Sequence, residues 1–136
     1  MKAHRGVATV EFALVLSIVL LLLLGLVELG RVLFTWNSAV DATRRGARTA
    51  AIVALNDTPS VLAEMRLVMP ELGESEINIQ YSIDGTFPGA ACVRGTCRFV
   101  RVSLTRDFHP AVYFLPAVIP LPDFATTVPV EALGAT

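Results

Sequence analysis

Histidine and cysteine are scarce in this chain of 136 residues, with two of each. His4 falls near the start, and His109 stands alone before Pro110. A lone histidine of this kind is more often a surface or structural residue than a catalytic one. There is no Gly-x-Ser-x-Gly, no phosphate loop and no His-Glu-x-x-His. The carboxylates are scattered, without a close pair on any one expected element. These absences argue against an enzyme and leave no catalytic residue, metal ligand, cofactor or small-molecule substrate to assign. The two cysteines, Cys92 and Cys97, are too few for a disulfide-rich scaffold, and no second Cys/His pair completes a zinc site. Charge is also sparse. Only 17% of residues are charged and the net charge is −1, so no bulk field attracts nucleic acid. Internal repeats and low-complexity linkers are missing as well.

What the chain has in excess is apolar surface, at 54% hydrophobic residues and a mean hydropathy of +0.62. Much of it lies in one run from Val7 to Val27, which carries a single charge, Glu11. A helix rises about 1.5 Å per residue, so the run extends roughly 31 Å. That matches the hydrocarbon core of a bilayer, about 30 Å thick. One membrane crossing is expected at 7–27, with the remaining hundred or so residues enough for one small domain.

Met1 to Gly6 are short and basic, with Lys2 and Arg5. A cleaved secretory signal is one reading. The apolar run is long for it, carries Glu11 near its start, and lacks a small-x-small site after it. Glu11 itself has two readings. It lies shallow enough to snorkel to the interface. Alternatively, cleavage between Gly6 and Val7 would leave a new α-amine one helical turn before it. In a bundle of parallel helices, that amine on one subunit could pair with Glu11 of the next, strongly so out of water.

Gly6, four residues, then Glu11-Phe12 and a long apolar helix resemble the class III signal of type IV pilin-like proteins. Val27-Glu28-Leu29-Gly30-Arg31 and Asp41-Ala42-Thr43-Arg44-Arg45-Gly46-Ala47-Arg48 are similar to the TadE-like minor pseudopilins of tight-adherence (Tad) pili. The resemblance covers residues 5 to 51; beyond residue 55 it is only architectural. It implies a leader at 1–6, cleavage of the Gly6–Val7 bond by a prepilin peptidase, and a role for Glu11 and Phe12 in assembly. It also implies other pilin-like subunits and an assembly platform as partners. The N-terminus would be cytoplasmic and the domain extracytoplasmic. The alternative is an uncleaved single-pass membrane protein whose external domain binds another envelope component.

Beyond the span, apolar or small residues recur at Leu29, Val32, Leu33, Trp36, Val40, Thr43, Ala47, Ala50, Ala51 and Ala54. Steps of three and four put them on one helical face, with Arg31, Ser38, Asp41, Arg45 and Arg48 opposite. The helix therefore continues through 28–55. Its stripe packs either on the chain's own domain or on neighbouring subunits. Phe34 and Trp36 fall where aromatic rings favour the membrane interface. Arg44, Arg45 and Arg48 read as a solvated face or a lipid contact.

A small domain is expected over 56–136. Thr58 with Pro59 signals a second helix, striped by Val61, Leu62, Met65, Val68 and Met69. Ile77, Ile79, Tyr81 and Ile83 alternate with polar residues, as do Val100, Val102 and Leu104, and each run reads as a half-buried strand. A third strand is expected from Ala125 to Ala132, with Pro129 pushing it towards an edge. Between them, 109–123 holds four prolines and is expected to form no regular element; its apolar residues cover the core or make a contact surface. Cys92 and Cys97 flank a turn-like sequence. They are a structural disulfide, free thiols or a redox pair, and the bridge fits best if the domain faces an oxidising compartment. The expected fold class is α+β: a long N-terminal transmembrane helix, one short helix and a mostly antiparallel sheet of three to four strands.

Overall fold

A computed structural model describes residues 4–89, 92–93, 95–111 and 118–130. Its first element, α1 (His4–Ile52), is one uninterrupted helix of 49 residues, roughly 73 Å long at the usual rise. Its two halves live in different surroundings. None of the side chains from Gly6 to Val27 is buried, and Phe12, Leu22 and Leu26 are each about two-thirds exposed. So continuous an apolar surface with no protein against it suits lipid as solvent, and the helix is long and apolar enough to cross a membrane.

The second half of α1 carries the domain. Ala39, Ala42, Thr43, Gly46, Ala47 and Ala50 are buried. Of the expected stripe, Thr43, Ala47 and Ala50 are buried against the chain's own domain and Trp36 touches it through Phe124, whereas Leu29, Leu33 and Ala54 stay exposed; Ala39, Ala42 and Gly46, outside the expected stripe, complete the buried face. Small side chains along this face let α2 (Thr58–Arg66) and a sheet come close. Gly46 marks the tightest point. A Cβ built there would lie 2.6 Å from Met65 Sδ and 3.4 Å from Val102 Cγ1. Thr43, the polar member, is satisfied: its hydroxyl donates to Val40 O and accepts from Thr126 Oγ1.

Asn56, at φ 62°, turns the chain after α1 in the left-handed region that asparagine tolerates. The cap of α2 differs from expectation. Asp57, not Thr58, accepts from the Ser60 amide and hydroxyl. Its carboxylate reaches the third helical amide and complements the helix dipole, which moves Pro59 one place inward within the first turn.

A 3-10 turn at Glu74–Glu76 leads into β1 (Ile77–Ser82), and β2 (Phe99–Leu104) follows. β3 (Asp107–Phe108), β4 (Ile119–Pro120) and β5 (Phe124–Pro129) complete the order. The main sheet is antiparallel in the order β1-β2-β5, with Ile77 opposite Leu104 and Leu104 opposite Phe124. The central strand buries Val100, Val102 and Leu104 completely, the period-2 pattern that the sequence predicts. β3 and β4 form a separate short ladder. Part of the proline-rich segment is thus regular after all, because a two-residue pairing asks little of a proline at the strand end. Leu121 packs against the core, so core cover holds for this part. Val112 to Pro116 lie outside the described residues, as do the leader residues Met1 to Ala3 and the expected strand end at Glu131 and Ala132.

The sheet runs along α1. Tyr81 donates to Ala50 O, Thr126 meets Thr43, and Phe124 packs edge-on against Trp36 with ring centroids 5.0 Å apart. Phe108 and Ala111 reach Arg31 and Glu28. Burial is the main cause that raises the Tyr81 phenol above its ordinary pKa.

At the far end, the β1–β2 connection opens with a tight polar turn. Asp84 Oδ1 accepts from Ser82 Oγ (2.7 Å), Thr86 Oγ1 (2.8 Å) and Thr86 N (3.1 Å). Gly85 adopts the left-handed conformation there, at φ 82°. Further along, Cys92 and Cys97 form a disulfide, with Cα atoms 5.3 Å apart.

Two outcomes are expected. Gly46→Val should destabilise the full chain in detergent by about 1–3 kcal/mol through overpacking against Met65. Gly46→Ala should lose less, because alanine regains about 1 kcal/mol of helix propensity. Equal thermal stability of Gly46→Val and the parent would refute this packing. The Ser82 hydroxyl, then the two Thr86 donors, hold the Asp84 carboxyl at about 2. A depressed folded-state value means that the turn's stabilisation is complete above the ordinary carboxylate range and is lost as pH falls through about 2. Titration followed by carboxyl NMR should show this, and Ser82→Ala should raise the midpoint.

Candidate functional site

Two places on α1 combine charge with an unusual setting. The first is the N-terminal turn pair. Gly6 lies within the helix, and a Cβ added there would meet nothing within 4 Å. Packing within this chain therefore does not require glycine at that position. Val7 and Phe12 are 65% and 67% exposed. Glu11 follows Val7 by four residues, about 6 Å along the axis. The other polar side chains of the apolar run satisfy themselves: Thr9 Oγ1 donates to Gly6 O, and Ser17 Oγ donates to Ala13 O at 2.7 Å. Such i−4 or i−3 bonds are how hydroxyls become tolerable in lipid. The Glu11 carboxylate, exposed on the helix, has no hydrogen bond or ion pair among the described residues.

The second place is where the apolar run ends. Glu28 is 5% exposed. Arg31 Nη1 donates to both of its oxygens, at 3.1 and 3.0 Å. The Ala111 amide donates to Oε1 at 2.7 Å. The Arg31 guanidinium in turn lies 5.5 Å from the centre of the Phe108 ring, within cation–π range. Arg31 thus stays 47% exposed, as expected for a residue off the buried face, while its guanidinium also reaches the domain through Phe108. A carboxylate so enclosed is acceptable because every lone pair that matters is used. Among the described residues, no buried side-chain polar atom lacks a partner.

Above this clamp lies a cleft of about 490 Å³. The α1 face from Arg31 to Ser38, the connection after α2 from Val68 to Glu71, and Arg106 to His109 line it. Arg106 is 3.5 Å from Glu71 and 4.0 Å from Glu76.

Residues 6–48 match the model of the TadE-like protein family. This segment is TadE-like. The match takes in both charged places, Gly6 to Glu11 and Glu28 to Arg31, and the small-residue stripe up to Ala47. It supports a general pilin-like role associated with the Tad pilus, and together with a helix long and apolar enough to cross a membrane it supports membrane association. No curated protein and no solved structure matches the chain.

The structure keeps Gly6, Val7, Glu11 and Phe12 together on the first turns of α1, and joins Cys92 to Cys97 far from them. It adds Glu28, Arg31, Phe108 and Ala111. The last two are some 80 residues from their partners in sequence, and no spacing rule links them. Glu28 itself was visible as the charge ending the apolar run.

Removing the Glu28 carboxylate leaves the Ala111 amide and Arg31 without their acceptor. Glu28→Ala should cost about 1–3 kcal/mol. It should also speed amide exchange at Ala111 in the detergent-solubilised chain while sparing Val102. Unchanged protection at Ala111 would show that the clamp does not hold the loop.

Proposed function

We propose that this chain is a pilin-like subunit of a tight-adherence pilus rather than an enzyme. In this reading a prepilin peptidase cuts the Gly6–Val7 bond. The mature helix then stays in the cytoplasmic membrane with the domain on the extracytoplasmic side. Its partners are other pilin-like subunits and the assembly platform, and its task is to help build the filament.

One observation carries the reading: among the described residues, Glu11, in a TadE-like segment, is the only polar side chain of the run 7–27 without a partner. Its carboxylate is held in an apolar stretch at a cost of ~1–3 kcal/mol. A partner outside the chain would offset that cost, and the α-amine of a processed neighbour has the right charge and the right height. The open space around Gly6 fits the same view. Glycine there serves something that approaches the backbone closely, such as a peptidase, rather than the fold. The disulfide fits an extracytoplasmic domain.

N-terminal mass spectrometry of the membrane-extracted protein tests the cut. The mature chain should begin at Val7. Gly6→Leu, at a position where an added Cβ meets nothing within 4 Å, should leave a precursor heavier by Met1 to Gly6. Glu11→Ala should still insert and be cut, yet fail to co-purify with pilin-like partners. A parent chain that begins at Met1 would favour the uncleaved membrane protein instead. A processed Glu11→Ala variant that assembles normally would remove the charge-pairing mechanism.

A further inference from the structure

We propose that the cleft above the Glu28 clamp holds the headgroup of a zwitterionic phospholipid from the leaflet that α1 leaves. The inference rests on residues 7–27 spanning the bilayer, as proposed above, and adds a ligand to the domain.

Height along α1 is the first ground. No linker separates span from domain, since Glu28 directly follows the run and is tied to Ala111 at 2.7 Å. Arg31 lies four residues past Val27, about 6 Å, and Phe34 about 10 Å. The headgroup layer is roughly 5–7 Å deep on each side of the hydrocarbon core. The lower lip of the cleft, Arg31 with Phe108, therefore sits among the lipid phosphates, and the cleft opens directly above them.

Chemistry is the second. Arg31 and Arg106 both line the cleft. Arg31 spends one terminal nitrogen on Glu28, which leaves the rest of its fork for a phosphate. Glu28 and the Phe108 ring hold it in place beforehand. Glu71 and Asp107 line the same cleft, so it presents both signs, matching phosphate and ammonium in one headgroup better than a purely anionic lipid. The volume of about 490 Å³ is within the range of small-ligand sites.

The third ground is exposure. Phe34 lines the cleft and is 73% exposed. Leu29 and Leu33, at similar height on α1, are 55% and 54% exposed. An aromatic ring next to arginine at this depth is what an interfacial lipid layer covers.

The full chain in nanodiscs of mixed phosphatidylethanolamine and phosphatidylglycerol tests this, with Phe34 replaced by photoreactive benzoylphenylalanine. A second probe at Val93, on the far hairpin, is the control. Illumination should give lipid adducts at position 34 and none at 93, enriched in phosphatidylethanolamine over its share of the disc. Arg106→Gln should lower the yield about tenfold, as expected for one charge-assisted contact, whereas Arg106→Lys should keep most of it. Millimolar inorganic phosphate should not compete. Carbonate washing of membranes tests the spanning reading separately. A chain released by the wash loses its span, and this proposal with it. A retained chain overturns the headgroup site alone if position 34 couples to a second copy or another protein, if Arg106→Gln changes nothing, if free phosphate competes, or if the anionic lipid predominates.

Discussion

Everything in this molecule is referred to one unbroken helix that changes solvent along its length. From Gly6 to Val27 the side chains of α1 are exposed, with no protein packed over them. From Ala39 to Ala50 one face of the helix is buried under α2 and the sheet, while Arg44, Arg45 and Arg48 stay exposed. Because no residue between Gly6 and Ile52 breaks the hydrogen-bond ladder, position along the axis is fixed by counting residues. That rigidity gives contacts such as Ala111 on Glu28, Phe124 on Trp36 and Tyr81 on Ala50 the meaning of heights. A flexible linker would have erased that information.

The small residues of the stripe make the rigidity usable. Alanine and glycine contribute little burial each, so the core draws its apolar area from Val61, Met65, Val100, Val102 and Leu104, which lie against them. The helix supplies a flat, closely approachable wall, and the sheet and α2 supply the volume. Gly46 shows the trade: it weakens the helix locally, yet Met65 fills the space that a side chain would take.

Periodicity revealed what depends on neighbours in sequence. The long helix, the three strands of the main sheet and the α+β class follow from steps of 3.6 and 2, and these the structure reproduces. Asp57 displaced Thr58 as the cap because two adjacent capping residues compete and only geometry decides. β4 escaped notice because a two-residue pairing leaves no period to detect. The contact of Arg31 with Phe108 escaped notice because a helical wheel knows nothing of Phe108. The Glu28 clamp was invisible for the same reason: its amide donor belongs to Ala111, and a backbone group has no sequence signature. The pattern from Gly6 to Phe12 is local, and the structure places these residues on exposed helix.

The two glutamates of α1 then show why one position is occupied and the other is open. Both fall in or beside the apolar run, and both carry a charge that lipid would penalise. Glu28 meets that penalty within its own chain, with Arg31 and a backbone amide, and its carboxylate is closed to outsiders. Glu11 has the same chemistry, 17 residues earlier, and the fold provides it nothing. Burial of a third or fourth element around the first turns could have supplied a donor, yet the domain covers only the opposite end of the helix. A single chain that satisfies one carboxylate so fully and leaves the other bare is complete at the membrane surface and incomplete inside the membrane. On the proposed reading, the interaction that Glu11 lacks is supplied from the side, by a helix that lies beside it in the bilayer.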